Sequence, residues 1–237
     1  MFKHRSNQKV LLDAEQIPQD FLWQNLKELA FINTYLGGHQ ISIHALKQLL
    51  PYLKKKESIA VADIGCGGGD SLLAIHHWLK ASNIKAKIIG VDLKPDCISY
   101  ATQQCQKFND VFLHCDDFRN LFAHYKSIDV VHASLFCHHF TANEIVDFIK
   151  LCQTNDSIFI INDLERNPIA YYAIKWLTQL FSKSPLVKHD APLSVRRGFK
   201  KKEWQAMLAA AGVKNFRLKN KWAFRHQLII YPNTHEV

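Results

Sequence analysis

Short, nearly continuous apolar runs alternate with stretches of helical periodicity over most of this chain. The runs fall near Ile59 to Ile64, Lys87 to Asp92, Val111 to His114, Ile128 to Ala133 and Ser157 to Asn162. A strand that is apolar at successive positions has both faces covered, which is the pattern of a parallel sheet between layers of helices. The helical segments between the runs supply right-handed crossovers, and these bring every strand's carboxyl end to one rim, where ligands bind in such sheets. Two helices come first: one from Pro18 to Leu36, closed by Gly37-Gly38, and one through Ile43, Leu46, Leu49 and Leu50. Pro95, Pro168 and a capping box from Thr141 to Glu144 mark further helix starts. After the fifth run come an aromatic-rich helix from Asn167 to Phe181 and a polar, basic segment from Ser182 to Phe199 that contains two prolines. A helix ending at Gly212 and strands near Lys214 to Leu218 and Phe224 to Tyr231 complete the pattern.

The first run, Val61-Ala62-Asp63-Ile64, leads into Gly65-Cys66-Gly67-Gly68-Gly69 and then straight into a helix. Glycine tolerates positive φ and lets a ligand approach the main chain, and the free N–H groups of the helix start favour anionic groups. Asp92 closes the next run, where a carboxylate can accept from both hydroxyls of a ribose. A nicotinamide or flavin dinucleotide fits less well. Its fingerprint needs a third glycine where this chain has Asp70, at a place where helix and strand must pack closely.

With Asp63, Gly65, Gly67 and Gly69 as a first motif, Asp92 as a second and an acid within His114-Cys115-Asp116-Asp117-Phe118 as a third, the chain resembles the class I S-adenosylmethionine-dependent methyltransferases. Leu36-Gly37-Gly38 and His189 to Arg196 are similar to segments of bacterial small-molecule methyltransferases found near type III polyketide synthases. The resemblance implies an α/β, Rossmann-like sheet of seven strands, mostly parallel with the last antiparallel. It also implies N-terminal helices, an inserted helical lid after the fifth strand, and S-adenosyl-L-methionine as cofactor with S-adenosyl-L-homocysteine as product. The expected division is an N-terminal helical lid over 1–54 and a methyltransferase domain over 55–237, with the lid insertion at about 165–199. Asp63, Gly65, Gly67 and Gly69 are then expected beneath the methionine and ribose, with Asp92 and Leu93 at the ribose. Asp116, Asp117 and Phe118 are expected at the adenine, and Ala133 or Ser134 at the methionine end. Asp116 or Asp117 can equally be a loop acid that caps the following turn.

Methyl transfer from a sulfonium is an in-line displacement with a good leaving group, so catalysis rests on positioning the acceptor and removing its proton. A phenol is mostly protonated near neutrality, and an imidazole can take its proton as attack develops. His138 and His139, between the fourth strand and the capped helix, are the candidate bases, with His138 preferred. The aromatic helix, through Tyr172 and Trp176, and the N-terminal helices, through Phe21, Trp23, Phe31 and Tyr35, are expected to cover an apolar acceptor pocket. His189 and Arg196 are expected in a closing loop, with Arg196 on a phenolate or carboxylate or else paired with Asp190.

No metal is expected. Adjacent histidines point apart on an extended chain, and metal-dependent catechol methyltransferases carry an acid where this chain has Ala133 or Ser134. The Asn-Pro-Pro-aromatic sequence of exocyclic-amine methyltransferases is absent after the fourth strand.

The formal net charge of +9 and the clusters Lys54-Lys55-Lys56, Arg196-Arg197 and Lys200-Lys201-Lys202 raise nucleic acid as a partner. Such clusters at element edges are ordinary solvated surface, and aromatics interleaved with basic residues along a strand are lacking. A small aromatic or polyketide-like acceptor is therefore the favoured partner, with O-methylation ahead of C-methylation. RNA methylation and a cofactor-binding protein without turnover are the alternatives. A lipid-tailed acceptor would add peripheral contact with an anionic membrane. Six unpaired cysteines and the lack of a secretory or membrane-spanning run point to the cytoplasm.

Overall fold

The computed structural model describes residues 2–14 and 17–234; the few residues of the expected 1–54 and 55–237 regions that are left out lie outside this account. Seven strands form one sheet in the order β3-β2-β1-β4-β5-β7-β6. They are β1 (Ile59–Ile64), β2 (Ala86–Asp92), β3 (Val111–Cys115), β4 (Val130–Ser134), β5 (Ile158–Leu164), β6 (Phe216–Lys221) and β7 (Arg225–Ile230). Strands β1 to β5 pair in parallel, whereas β7 inserts antiparallel between β5 and β6. This is the Rossmann-like class I methyltransferase sheet with its reversed last strand. The order turns at β1 and β4, which places a cleft at their carboxyl ends.

The helices are α1 (Gln19–Tyr35), α2 (Gly38–Gln48), α3 (Leu50–Leu53), α4 (Asp70–Ala81), α5 (Pro95–Cys105), α6 (Leu121–His124), α7 (Ala142–Thr154), α8 (Pro168–Phe181), α9 (Pro185–Arg197) and α10 (Lys201–Ala210). Buried residues of α7 and α10, such as Phe148, Ile149 and Trp204, cover one face of the sheet, and those of α2 and α4, such as Leu46, Leu72 and Ile75, cover the other. Helix α9 packs against both α8 and α1.

The segment from Ser182 to Phe199 departs from the expected mobile loop, because most of it is α9. Ser184 caps that helix by accepting from the Val187 N–H, and Pro185 occupies the first turn, where a missing N–H costs nothing. Pro192 sits inside the helix, and burial of Val187, Leu193 and Val195 offsets the hydrogen bond it cannot donate.

The two leading helices are fastened to the glycine loop by Asp70. Its Oδ2 accepts from Asn33 Nδ2 at 3.0 Å and bonds His39 Nε2 at 2.7 Å. Burial alone would raise this carboxyl, yet the bonds from His39 and Asn33 hold it below its ordinary value. Gly38 allows the close approach: a Cβ there would lie 1.7 Å from Asn33 Oδ1. Replacing Asp70 with Ala is expected to cost about 1–3 kcal/mol in denaturant unfolding and to speed amide exchange in α1 and α2 before the sheet. Unchanged exchange in those helices would show that the clasp does not hold them.

Candidate active site

Strand β1 ends at Asp63 and Ile64, and the chain turns through Gly65, Gly67 and Gly69 with φ of 62°, 52° and 81°. These left-handed values require glycine or strain another residue. Gly69 then caps α4. The loop is tied to the end of β2, where Asp92 accepts from the Gly67 N–H at 2.9 Å and from the Lys94 N–H at 2.9 Å. Burial raises the Asp92 carboxyl even so. Leu93, the next residue, is exposed.

Two polar atoms at this cleft are buried without a partner. Asp63 bonds His132 Nδ1 through Oδ1 at 2.6 Å, and its Oδ2 has no partner; the Ser134 hydroxyl has none either. A buried carboxylate oxygen left unmatched costs stability and suits a cationic donor. The register sets β1 beside β4, pairing Asp63 with His132 and Ile64 with Ala133, so Asp63 and Ser134 stand near the carboxyl ends of adjacent strands. The α-ammonium of a bound S-adenosylmethionine has the charge and donors that this pair lacks, so the residues present fit the cofactor. Leu26 of α1 packs over Gly67 and Gly68, and the Phe136 ring lies against Gly65.

At the end of β3, Asp116 accepts from the Asp117 N–H, from Asn120 Nδ2 and from His124 Nε2 at 2.6 Å. Asp117 caps the following turn through the Arg119 N–H. Phe118 is buried and meets Phe136, Phe140 and Phe148 edge to face.

The turn after β4 carries both histidines. His138 is buried; its Nδ1 lies 2.7 Å from Asp163 Oδ1 and its main-chain N–H donates to Asp163 Oδ2 at 2.9 Å. The Leu164 N–H gives Asp163 a third donor. A carboxylate against Nδ1 places the proton there, which leaves Nε2 as the ring's basic nitrogen. Burial, with His139 adding to it, pushes the His138 imidazole below its ordinary pKa despite Asp163. His139 is partly exposed and bonds Asp13 at 3.0 Å. Two arginines clamp the turn from behind: Arg197 donates to the carbonyls of His138 and His139, and Arg5 to those of His138 and Phe140. Neither clamp was expected as such, because each acts on main-chain carbonyls that no sequence pattern displays.

Both histidines open onto a cavity of about 560 Å³ between α1, α8, α9 and the β6–β7 turn. Its walls are largely aliphatic, with Leu29 and Ile32 from α1 and Ala173, Ile174 and Leu177 from α8. Tyr172 and Trp176 do not line it; they stand on the outer face of α8 and are exposed, as are Phe31 and Tyr35 on α1. The helix turns one apolar face inward and a second, aromatic one outward. His189 is exposed beside Asp190, and Arg196 is not among the lining residues; Asp190 is. Among the described residues no group of three or more His, Cys, Asp or Glu is placed to hold a metal ion. No described helix is long and apolar enough to cross a membrane.

The sheet in this order carries acids at the ends of β1 and β2 with a glycine turn between them. A family model described as a methyltransferase domain matches residues 55–212. The chain belongs to that family, and with it to the class I S-adenosylmethionine-dependent methyltransferases. Among solved structures, the plantazolicin methyltransferase BpumL in complex with SAH is similar at a TM-score of 0.64 and 16% identity, over 91% of this chain and 95% of that one. An O-methyltransferase family 2 protein from Planctomyces limnophilus, in complex with apigenin, aligns at 0.63 and 14% over 92% of this chain and 63% of its own. The CMeT domain of the citrinin polyketide synthase aligns at 0.53 and 13%, over 76% and 47%. At these identities the likeness is one of fold.

Replacing Asp92 with Ala is expected to weaken S-adenosylhomocysteine binding by about 10–100-fold in calorimetry while the circular dichroism stays that of the parent. Unchanged affinity would remove Asp92 from the cofactor site.

Proposed function

We propose that this chain methylates the hydroxyl oxygen of a small, apolar, phenolic or polyketide-like acceptor held in the cavity, with His138 as general base and Asp163 as its orienting partner. The observation that carries the reading is the buried His138–Asp163 pair on the wall of an apolar cavity beside the cofactor cleft. The bound S-adenosylmethionine supplies an electrophilic methyl group on a good leaving group. The chain must therefore orient the acceptor, exclude water and take one proton.

Asp63 Oδ2 and the Ser134 hydroxyl are assigned to the methionine end, Gly65, Gly67 and Gly69 to the turn beneath it, and Asp92 with Leu93 to the ribose. Asp116 and the main chain at Asp117 and Phe118 are assigned to the adenine side, since the Asp117 side chain is engaged in capping its turn. Residues 1–54 act as a lid fastened by Asp70, and α8 with α9 form the opposite wall. Leu29, Ile32, Ile174 and Leu177 take the acceptor contacts once expected of Tyr172 and Trp176.

His138 Nε2 accepts the acceptor's hydroxyl proton as the oxygen attacks, and the neighbouring carboxylate stabilises the imidazolium that forms. Its lowered pKa keeps the ring neutral, and so ready to accept, at pH 7. The aliphatic walls suit an acceptor with a largely apolar body. Neighbours of this fold bound to apigenin or belonging to a polyketide synthase support an acceptor of that kind.

The test is transfer from S-adenosylmethionine to a panel of phenols, read by mass spectrometry and followed by variants on the best acceptor. Replacing His138 with Ala should lower kcat by about 10²–10⁴-fold with little change in acceptor KM, and Asp163→Asn should act in the same direction. An unaffected rate in the His138 variant would shift the role to His139 or remove the need for a protein base.

The pH dependence has a fixed sign. The active form is the neutral imidazole, so kcat/KM should fall as pH drops through a value below the ordinary 6.5 and stay level from there to neutrality. An acid limb above 6.5 would contradict the assignment.

A further inference from the structure

Arg225 opens β7 at the rim, paired in register with Leu164 of β5, and is only 3% exposed. Of the three buried arginines among the described residues, Arg166 and Arg197 bind main-chain carbonyls at close range, and Arg166 also pairs with Glu203. Arg225 has no such partners. Its hydrogen bond runs from Nη1 to Asn162 Oδ1 at 3.4 Å, long for a charged donor. Asp163 and Asp70 are near enough to favour its charge, yet neither makes an ion pair with it. Burial lowers its pKa to about 10, which leaves the guanidinium charged at neutrality.

Arg225 lines the same cavity as His138. The one carboxylate among the described lining residues, Asp190, already accepts from the Leu11 and Leu12 N–H groups and bonds His189. Lys221, at the other side of the β6–β7 turn, also lines the cavity, with its ammonium bonded to His44 Nδ1 at 3.2 Å. The cavity is thus apolar in its walls and positive at one end. The fold makes room for the guanidinium as well, since a Cβ on Gly38 would lie 2.9 Å from Arg225 Nη1. A buried cation with no direct ion-pair partner is costly unless a ligand comes close enough to supply one.

We infer that Arg225 is the anion-binding residue of the acceptor cavity, and that the acceptor carries a carboxylate on its otherwise apolar body. This rests on the cavity being the acceptor site. Arg225 then sets specificity and position, while His138 handles the proton. A carboxylate is matched by the guanidinium's planar fork of donors in a way a neutral amide is not.

The experiment compares two probes, a 3-alkyl-4-hydroxybenzoate and its carboxamide, in the presence of S-adenosylhomocysteine. Binding is read by tryptophan fluorescence and transfer by mass spectrometry with S-adenosylmethionine. The parent protein should bind the carboxylate at least about 10-fold more tightly than the carboxamide. Arg225→Met should abolish that preference, Arg225→Lys should retain part of it, and S-adenosylhomocysteine affinity should stay within about 2-fold in both. Equal binding of the two probes by the parent overturns the inference and leaves the methyltransferase assignment standing, and this arm needs no variant. A loss of S-adenosylhomocysteine affinity with the probe preference intact also overturns it, by placing Arg225 on the cofactor's carboxylate. Binding of neither probe overturns the acceptor reading beneath it.

Discussion

Everything at the turn after β4 depends on one buried carboxylate. Asp163 receives the main-chain N–H of His138, its ring Nδ1 and the N–H of Leu164, so its two oxygens meet three donors in a site closed to water. That arrangement sets ring orientation and tautomer together. The clamps by Arg5 and Arg197 act on the carbonyls of the same turn and leave the imidazole edge free to face the cavity. Removing the carboxylate would strand these donors and release the ring at once.

A second polar chain runs on the other face of the sheet. Asp63 bonds His132, His132 bonds Ser42, and Asn162 donates to Ser42 and to the Gly38 carbonyl. The acid of the glycine loop is thereby connected to the helix that Asp70 fastens, and on to Arg225 through Asn162. A buried network of this kind is worth its desolvation only when each member is satisfied. The atom left over is Asp63 Oδ2. The helices that Asp70 fastens, the end of β1 and the start of β7 consequently share one set of contacts.

The central strands were legible because burial on both faces writes them as apolar runs; the first coincides with β1 from Ile59 to Ile64. The fourth starts at Val130 rather than Ile128, since Asp129 turns back to cap the Ala60 N–H. The edge strand β6 runs on through Lys219, Asn220 and Lys221 to its turn, where solvent exposure removes the apolar signature. Helix α9 was hidden by its polar composition and prolines, and burial against its neighbours decided otherwise. Strand-end acids at Asp63 and Asp92 could be found because position alone marks them. Asp163 ends the fifth strand in the same way, but its partner His138 lies far off in sequence. The direction of α8 was not legible at all: Ala170, Ala173, Ile174 and Leu177 make one apolar face, and Ile169, Tyr172, Trp176 and Leu180 another. Periodicity distinguishes the two faces without saying which turns inward. Arg225 opens a strand beside two further polar residues, His226 and Gln227, and gains its meaning only from what surrounds it in space.

The most direct test of the central claim is the protonation state of His138, read from its imidazole nitrogens by NMR of ¹⁵N-histidine-labelled protein. His138→Gln supplies the assignment. A neutral ring at pH 7 with the proton on Nδ1, and protonation only below the ordinary 6.5, is the predicted result. A charged ring at pH 7, or a neutral ring carrying its proton on Nε2, would contradict His138 as the base that Asp163 holds ready.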